Sequence, residues 1–279
     1  MKRIVRILLF VVFGSIGAVV LWAALDGTGG ASSRMLWNHT WQNSAGRETG
    51  GYVTGPDGPE KARERMRSGT PPQAQLKPGV LLLHDRMGLS KEMLILADAL
   101  AADGYVVLAP DAFHGRLAVT GVGAAFLRRI TSDRTIEMTA NDAFGELQMI
   151  PQVDNARISV VGFGLGAETA TVLAAGTAGI QALVLADGKN PVTDPAAMGF
   201  LGQNGPVLAM YAGKDRSIDP DAVASFERIL INRSNVYTIR VFEGEKRAFL
   251  QPQAIRAGGA AAEAWLLMRQ FLHEALTQR

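Results

Sequence analysis

The sequence predicts an α/β fold with a doubly wound, mostly parallel sheet and helices on both of its faces. From residue 78 onward, short apolar runs alternate with longer segments of helical character. Apolar runs of this length are typical of strands buried on both faces, as in parallel sheets. Regular alternation of strand and helix favours right-handed crossovers between parallel neighbours. Because sites in such sheets lie at the carboxyl ends of the strands, the residues that follow each strand are the first functional candidates.

The predicted elements follow one another from residue 78 to the end of the chain. One helix is expected over residues 90–102, with Ser90 as its N-cap and Gly104 just past its end. A later helix over residues 221–231 has Asp219 as its N-cap and Pro220 at its first position. Further helices are expected over residues 135–149, 167–175 and 260–276. The strand candidates are Gly79–His84, Tyr105–Ala109, Arg157–Val161, Gln181–Ala186, Pro206–Tyr211 and Val236–Phe242.

An uncharged stretch of 19 residues, Ile7–Leu25, follows Lys2, Arg3 and Arg6 near the N-terminus. As a helix rising about 1.5 Å per residue, it would span roughly the 30 Å hydrocarbon core of a bilayer. A secretory signal peptide usually has a shorter apolar region and a small-x-small cleavage site, and this stretch has neither. We therefore expect a single-pass anchor, with a cleaved signal or a buried helix as alternatives. The basic flank predicts a cytoplasmic N-terminus and a domain on the extracytoplasmic side of the cell membrane.

Between this anchor and the α/β pattern lies a region rich in Gly, Ser, Pro and charge, which predicts a flexible tether. Within it, a short helix is expected at Pro59–Arg67. Trp37 and Trp41 lie four residues apart and would suit either docking on the domain or a position in the lipid interface. The predicted divisions are an anchor over residues 1–25, a tether over residues 26–75 and an α/β domain over residues 76–279.

Composition limits the classes of function. The 279 residues, 48% of them hydrophobic, suffice for one large domain with its own core. A net charge of +2, without a cluster of Lys and Arg interleaved with aromatics, gives no indication of a nucleic-acid partner. The chain contains no cysteine, so disulfides, thiolate metal ligands and a cysteine nucleophile are excluded. No metal site and no cofactor are predicted.

A glycine-rich corner joins the predicted strand at 157–161 to the predicted helix at 167–175. It reads Gly-Phe-Gly-Leu-Gly over residues 162–166. A strand–turn–helix corner of this kind presents the nucleophile of a Gly-x-nucleophile-x-Gly motif, and its small flanking residues let the helix pack close to the strand. Ser or Cys is expected at the centre, where this chain has Gly164. The corner therefore predicts the scaffold of a hydrolase site without its nucleophile.

Taken together, the segments at the predicted strand ends resemble the dienelactone hydrolase family of the α/β-hydrolase superfamily. The resemblance covers about residues 78–275 and implies an α/β-hydrolase fold with an ester- or lactone-hydrolysing triad. Carried over by position, it implies that Asp215 is the retained acid, that Gly164 replaces the nucleophile and that Arg247 replaces the histidine. The segments that carry it are residues 80–89 with 97–111, the corner at 162–166, Pro206–Asp215 and Phe242–Phe249.

The same resemblance points to further site residues. Asp85 matches an acidic residue of the family's first loop, which is usually Glu, and Arg116 falls near an arginine that binds the substrate carboxylate. The family's oxyanion donors are backbone N–H groups, and these match Leu165 and a residue near Arg86. His114 lies on a loop and is a candidate for a replacement base. His84 follows a strand and is expected to be a hydrogen-bonded structural residue.

The two substitutions argue against covalent catalysis. Acyl transfer needs a group that attacks and a group that takes its proton. Gly164 has no side chain, and the guanidinium of Arg247 stays protonated, so it does not act as a general base. We expect Asp215 and Arg247 to form an ion pair where the family has an Asp–His pair.

Three functional hypotheses follow. The first is a membrane-anchored, catalytically impaired relative of the dienelactone hydrolases that binds a small carboxylate or lactone-like ligand, or a protein partner. The second is an active ester or lactone hydrolase with rearranged residues, in which Asp85 or His114 activates water. The third is a dinucleotide-binding protein, with residues 162–167 as a Gly-x-Gly-x-x-Ala turn and Asp187 as a ribose ligand.

Overall fold

The computed structural model describes residues 17–18, 21, 32–68, 76–188, 199–233 and 235–277. The strands in this part of the chain form one eight-stranded sheet. They are β1 (His39–Gln42), β2 (Glu48–Thr54), β3 (Lys77–Leu83), β4 (Val106–Pro110), β5 (Val153–Phe163), β6 (Ile180–Ala186), β7 (Val207–Ala212) and β8 (Tyr237–Phe242). Their order across the sheet is β1-β2-β4-β3-β5-β6-β7-β8. Strands β3 to β8 are parallel, whereas β1 and β2 are antiparallel additions beside β4.

Each predicted helix is present, whereas the helices at Gly121–Ile130 and Pro252–Ala257 were not predicted. The Ser90 hydroxyl accepts a hydrogen bond from the Met93 N–H, and the Asp219 carboxylate accepts one from the Asp221 N–H, so both predicted N-caps are confirmed. The helices are α1 (Pro59–Ser68), α2 (Lys91–Ala102), α3 (Gly121–Ile130), α4 (Asp133–Met149), α5 (Leu165–Gly176), α6 (Pro220–Asn232), α7 (Pro252–Ala257) and α8 (Gly259–Thr277). Short 3-10 turns lie at Ser33–Leu36 and Leu201–Gln203.

The sheet is buried on both faces, which is why its parallel strands are continuous apolar runs. Successive residues of β3 alternate between two cores. Val80 and Leu82 pack with residues of α2 and α8, whereas Leu81 and Leu83 pack with residues of α4, α5 and α6. The doubly wound fold class is therefore confirmed, with helices on both faces.

The predicted tether is wrong for residues 32–68. This segment contains β1, β2 and α1, and it extends the sheet through antiparallel pairing of β2 with β4. The domain therefore begins before residue 76, at residue 32 of the described part of the chain. The predicted helix within this region is confirmed as α1.

Two glycines explain why the composition of this segment wrongly predicted a flexible tether. A Cβ on Gly50 would lie 2.1 Å from the ring of Trp37, and a Cβ on Gly51 would lie 2.6 Å from the Ala109 carbonyl oxygen. These glycines permit close approach of packed elements and do not interrupt them. Trp41 is buried and the Trp37 indole N–H donates to Asp111, so docking on the domain is the observed alternative.

The predicted membrane anchor lies outside the described residues, apart from residues 17, 18 and 21. Over the ranges that the structure describes, no helix combines the length and the apolar character needed to cross a bilayer.

Candidate active site

The strand β5 turns into α5 at Gly164, which has φ 53° and ψ −110°. A residue with a side chain is strained in this region, and glycine is not. The Gly164 N–H donates to the Ala186 carbonyl oxygen at 2.9 Å, and its own carbonyl accepts from the Ala167 N–H at 3.1 Å. This is the strand-to-helix corner predicted from the sequence, with no side chain at its tip.

The flanking glycines are required by close packing at the corner. A Cβ on Gly162 would lie 2.2 Å from the Gly166 carbonyl oxygen, and a Cβ on Gly166 would lie 2.2 Å from the Leu83 carbonyl oxygen. At Gly164 itself the nearest atom to an added Cβ would be the Asp85 Cβ, at 3.3 Å. A Cβ at the centre of the corner would therefore make one tight contact that a small shift of Asp85 relieves, whereas a Cβ at either end would collide with the backbone.

Asp215 and Arg247 approach each other at the carboxyl edge of the sheet, after β7 and β8. The Arg247 Nε lies 3.9 Å from the Asp215 Oδ2, so the predicted ion pair is confirmed. The Asp215 side chain is only 6% exposed. Its Oδ1 accepts from the Ser217 N–H at 2.9 Å and from the Ser217 hydroxyl at 2.6 Å. Its Oδ2 has no hydrogen-bond partner within the described part of the chain, and 3.9 Å is an ionic contact rather than a hydrogen bond.

A third acidic residue, Asp187, follows β6 at the same edge. It has φ 55°, and its side chain is buried with Oδ1 unpartnered among the described residues. Burial raises the pKa of Asp187 to about 7, opposed by a hydrogen bond from the Ala248 N–H. The charge of Asp215 raises this pKa further, that of Arg247 lowers it, and that of Asp85 raises it. A positive φ and a strongly shifted pKa in one buried residue are typical of functional sites.

From the sequence, Asp187 is expected only as a ribose ligand. Asp187 directly follows a buried strand, at the edge that also carries Asp85 and Asp215, and this position could have identified it as a site residue. Parallel strands bring such residues together at one end of the sheet.

Asp85 and Arg86 come directly after β3 and complete the surroundings of Gly164. The Asp85 Oδ1 accepts from the Met87 N–H at 2.8 Å. Burial raises the pKa of Asp85, while the hydrogen bond from the Met87 N–H and the charge of Arg86 lower it. A cavity of about 20 Å³ lies between these elements, which is room for one water molecule. Its lining includes Asp85, Arg86, Gly164, Leu165, Asp187 and Arg247.

His114 and Arg116, two other predicted site residues, do not line this cavity. They lie on the loop after β4, which is held against the Ser33–Leu36 turn, and the Arg116 side chain is exposed. Burial lowers the pKa of His114, Asp111 raises it, and Arg116, Arg47 and Arg34 lower it. The structure thus separates His114 and Arg116 from Gly164, because the loop that carries them turns toward the N-terminal segment.

His84 has a structural role, as expected. Its Nε2 accepts a hydrogen bond from the Ala112 N–H at 3.0 Å, and its Nδ1 lies 2.7 Å from the Asp85 carbonyl oxygen. Since Nε2 accepts, we assign the proton to Nδ1, which donates to that carbonyl. Both ring nitrogens are occupied in joining the loops after β3 and β4.

The geometry gives no support to dinucleotide binding. The candidate ribose ligand, Asp187, is buried beside Asp215 and Arg247, and the cavity is far smaller than typical cofactor pockets of about 300–1,000 Å³. Over the residues described, no group of three or more His or acidic side chains has an arrangement that could hold a metal ion.

Similarity searches identify related proteins over most of the chain. A sequence model of the dienelactone hydrolase family matches residues 65–276. A protein of Saccharolobus solfataricus named "Putative carboxymethylenebutenolidase" is 23% identical over 251 residues, covering 76% of this chain and 94% of that protein.

Solved structures share the fold. A dienelactone hydrolase-like promiscuous phosphotriesterase from metagenomic libraries has a TM-score of 0.68 at 19% identity, covering 88% of this chain and 99% of that chain. The acylaminoacyl peptidase of Pyrococcus horikoshii has a TM-score of 0.60 at 14% identity, covering 86% of this chain and 41% of that chain. Because the family model spans residues 65–276, this chain belongs to the dienelactone hydrolase family.

Proposed function

We propose that this chain is a membrane-anchored member of the dienelactone hydrolase family that has lost covalent acyl transfer and acts by binding. The observation that carries the proposal is Gly164, which occupies the tip of the strand-to-helix corner between β5 and α5 without a side chain. We call this corner the elbow. The position expected for the base is Arg247, whose guanidinium contacts the retained acid Asp215.

This arrangement lacks the two groups that a covalent route needs. No attacking atom is attached to the corner, and a guanidinium does not remove a proton near neutral pH. Asp215, which would orient a histidine in a triad, is instead partly neutralised by a fixed positive charge. The Leu165 N–H at the start of α5 remains available in position as an oxyanion or anion donor.

The ligand that suits this site is a small carboxylate or lactone-like molecule. Arg86 and Arg247 are both among the residues that line the cavity, and arginine favours a carboxylate ligand. The unpartnered Oδ1 of Asp187, which also lines the cavity, requires a hydrogen-bond donor, since buried polar atoms are rarely left unsatisfied. Because the cavity holds only about one water molecule, a larger ligand would extend from it toward solvent.

Two measurements test this proposal on the full chain. We expect no labelling by a fluorophosphonate probe of active serine hydrolases and no saturable hydrolysis of p-nitrophenyl esters. We also expect small carboxylates to raise the melting temperature of the parent and not of Arg86→Gln. Probe labelling, or carboxylate stabilisation that is unchanged in Arg86→Gln, would contradict the proposal.

The buried carboxyl of Asp187 favours one competing function, which is hydrolysis by activated water. In that route Asp187 takes a proton from a water molecule as the water attacks an ester or lactone carbonyl. The Leu165 N–H stabilises the oxyanion, and protonated Asp187 returns its proton to the leaving alkoxide. A pKa of about 7 suits such a group. Saturable ester hydrolysis that disappears in Asp187→Asn, without probe labelling, would establish this function in place of the first.

The membrane part of the proposal rests on the uncharged stretch Ile7–Leu25. We expect the full chain to remain with membranes in carbonate and high salt, and the domain to be open to protease from the extracytoplasmic side only. A shortened soluble form beginning near Asp26 would instead establish a cleaved signal. Protease access from the cytoplasmic side would reverse the proposed topology.

A further inference from the structure

The chain enters the domain at a point fixed by one buried carboxylate. Asp111 is fully buried after β4 and joins the segment Ser32–Trp37 to its own loop. The Ser33 N–H also donates to the Gly115 carbonyl oxygen at 3.2 Å. Hydrogen bonds to a charged acceptor are among the stronger ones in proteins, so this attachment is firm. The four donors to the Asp111 carboxylate belong to Ser33, Trp37, Phe113 and Gly115.

Three arginines surround this entry point. Arg34, Arg47 and Arg116 are all exposed, and all three act electrostatically on the ring of His114. Two exposed apolar side chains are close to these arginines in sequence, Met35 at 91% exposure next to Arg34 and Val119 at 65% three residues after Arg116. We call these five residues the arginine surface. Two acidic residues are nearby. Glu48 is exposed next to Arg47, whereas Asp111 is buried beneath the segment Ser32–Trp37.

The length of chain between the domain and the predicted anchor restricts which face can meet a bilayer. Six residues, 26–31, separate Leu25 from Ser32. Even fully extended, the seven steps between those two residues span at most about 25 Å. Ser32 pairs with Arg116 in the loop after β4, which is five strand spacings, or about 24 Å, from β8. The arginine surface is therefore held within about 25 Å of the bilayer, and docking through it would leave β8 as the more distant edge of the sheet.

We propose that the arginine surface docks on anionic lipid headgroups of the bilayer that holds the chain. This inference rests on the membrane anchor proposed above. Guanidinium groups bind phosphate oxygens in a bidentate manner, and exposed apolar side chains such as Met35 and Val119 enter the interfacial region. Each basic side chain near an anionic surface contributes about fivefold to binding, so three contribute about a hundredfold. The Ala118 N–H binds the Met87 carbonyl oxygen, so docking also brings the loop beside the elbow cavity toward the membrane.

The absence of cysteine makes the full chain suitable for site-specific labelling. Val119→Cys places a fluorophore on the arginine surface, and Val236→Cys places one on an equally apolar exposed residue just before β8. Each labelled chain is reconstituted into vesicles of phosphatidylcholine alone or of phosphatidylcholine with phosphatidylglycerol, and both kinds of vesicle carry the same headgroup-attached quencher. Flotation of the chain with neutral vesicles tests the anchor separately.

We expect strong quenching at position 119 in anionic vesicles, weaker quenching in neutral vesicles or high salt, and little quenching at position 236 in either. Neutralising Arg34, Arg47 and Arg116 to Gln should lower the docked-to-undocked ratio about a hundredfold. The matched control changes Arg228, Arg233 and Arg240 to Gln and should leave it unchanged. A chain that does not float refutes the anchor and this proposal together. A chain that floats but shows equal quenching at both positions, or no effect of the first triple change, refutes the docking surface alone.

Discussion

The raised pKa of Asp187 predicts how the stability of the folded protein depends on pH. Burial raises its pKa to about 7 from an ordinary value of 3.8. The folded state therefore holds this proton more tightly than the unfolded chain does. By linkage, stability is lost as the pH rises from about 4 to about 7 and then levels off. The replacement Asp187→Asn keeps the shape of the side chain and removes its titration.

The magnitude follows from the two pKa values. At about pH 5 the raised pKa costs the parent about 1.5 kcal/mol of folding free energy, and at about pH 8 it costs about 4 kcal/mol. The stability of Asp187→Asn relative to the parent should therefore increase by about 2.5 kcal/mol between these pH values. For a domain of this size, such a change corresponds to a relative shift in Tm of roughly 5–10 °C.

The assay is urea or thermal unfolding of both proteins at about pH 5 and about pH 8, because comparing the variant with the parent at each pH cancels the other titrating groups. Asp221→Asn, which alters an exposed aspartate in the first turn of α6, is the matched control and should show no such trend. If the difference between Asp187→Asn and the parent stays constant between the two pH values, the proposed environment of Asp187 is wrong.

Three further predictions concern the scaffold and its attachments. Gly166→Ala should destabilise the fold by about 3 kcal/mol or more because its Cβ would lie 2.2 Å from the Leu83 carbonyl oxygen. The control is Gly145→Ala, within α4, where an added Cβ would meet open space. This change should stabilise the fold by about 0.5–1 kcal/mol, and thermal unfolding of both variants measures the two effects. Asp111→Ala should leave four donors without their carboxylate and release the segment that contains Arg34, so trypsin should cleave faster after this already exposed residue. Asp142→Ala, which removes an acceptor of exposed Ser44, should leave this cleavage rate unchanged, and equal rates in the two variants would contradict the prediction. Ser90→Ala should cost about 1 kcal/mol by removing the N-cap of α2, and a urea midpoint unchanged from the parent would count against the observed cap.

The parallel part of the sheet was predictable because its strands are buried on both faces. Runs such as Leu81–Leu83 and Val207–Ala212 have no polar interruption, and caps such as Ser90 mark where helices begin. The edge formed by β1 and β2 was missed because close packing there selects Gly50 and Gly51, which composition alone identifies as interruptions of structure. Helix α3 begins with Gly-Val-Gly and was missed because glycine has a low helix propensity.

Only part of the site could be predicted from the chain order of its motifs. Gly164, Asp215 and Arg247 follow strands in a recognisable order, and the structure brings Asp215 and Arg247 into contact. The orientation of a loop depends on tertiary contacts, so the sequence did not indicate that Asp111 turns His114 away from the cavity. Nor did it reveal that Asp187 would be the buried carboxyl beside the corner.

We propose that the strand-to-helix corner at Gly164 is intact and that the substitutions at positions 164 and 247 removed its covalent chemistry. The double change Gly164→Ser with Arg247→His tests it directly, because a Cβ at Gly164 meets nothing closer than 3.3 Å and Asp215 is already in place. Strain at the positive φ should cost about 1–3 kcal/mol. General-base activation contributes about 10²–10⁴-fold, so the double variant should hydrolyse p-nitrophenyl esters well above the parent and above either single variant. A folded double variant that stays inert, with the introduced serine and histidine hydrogen-bonded to each other and to Asp215 in its crystal structure, would contradict the claim.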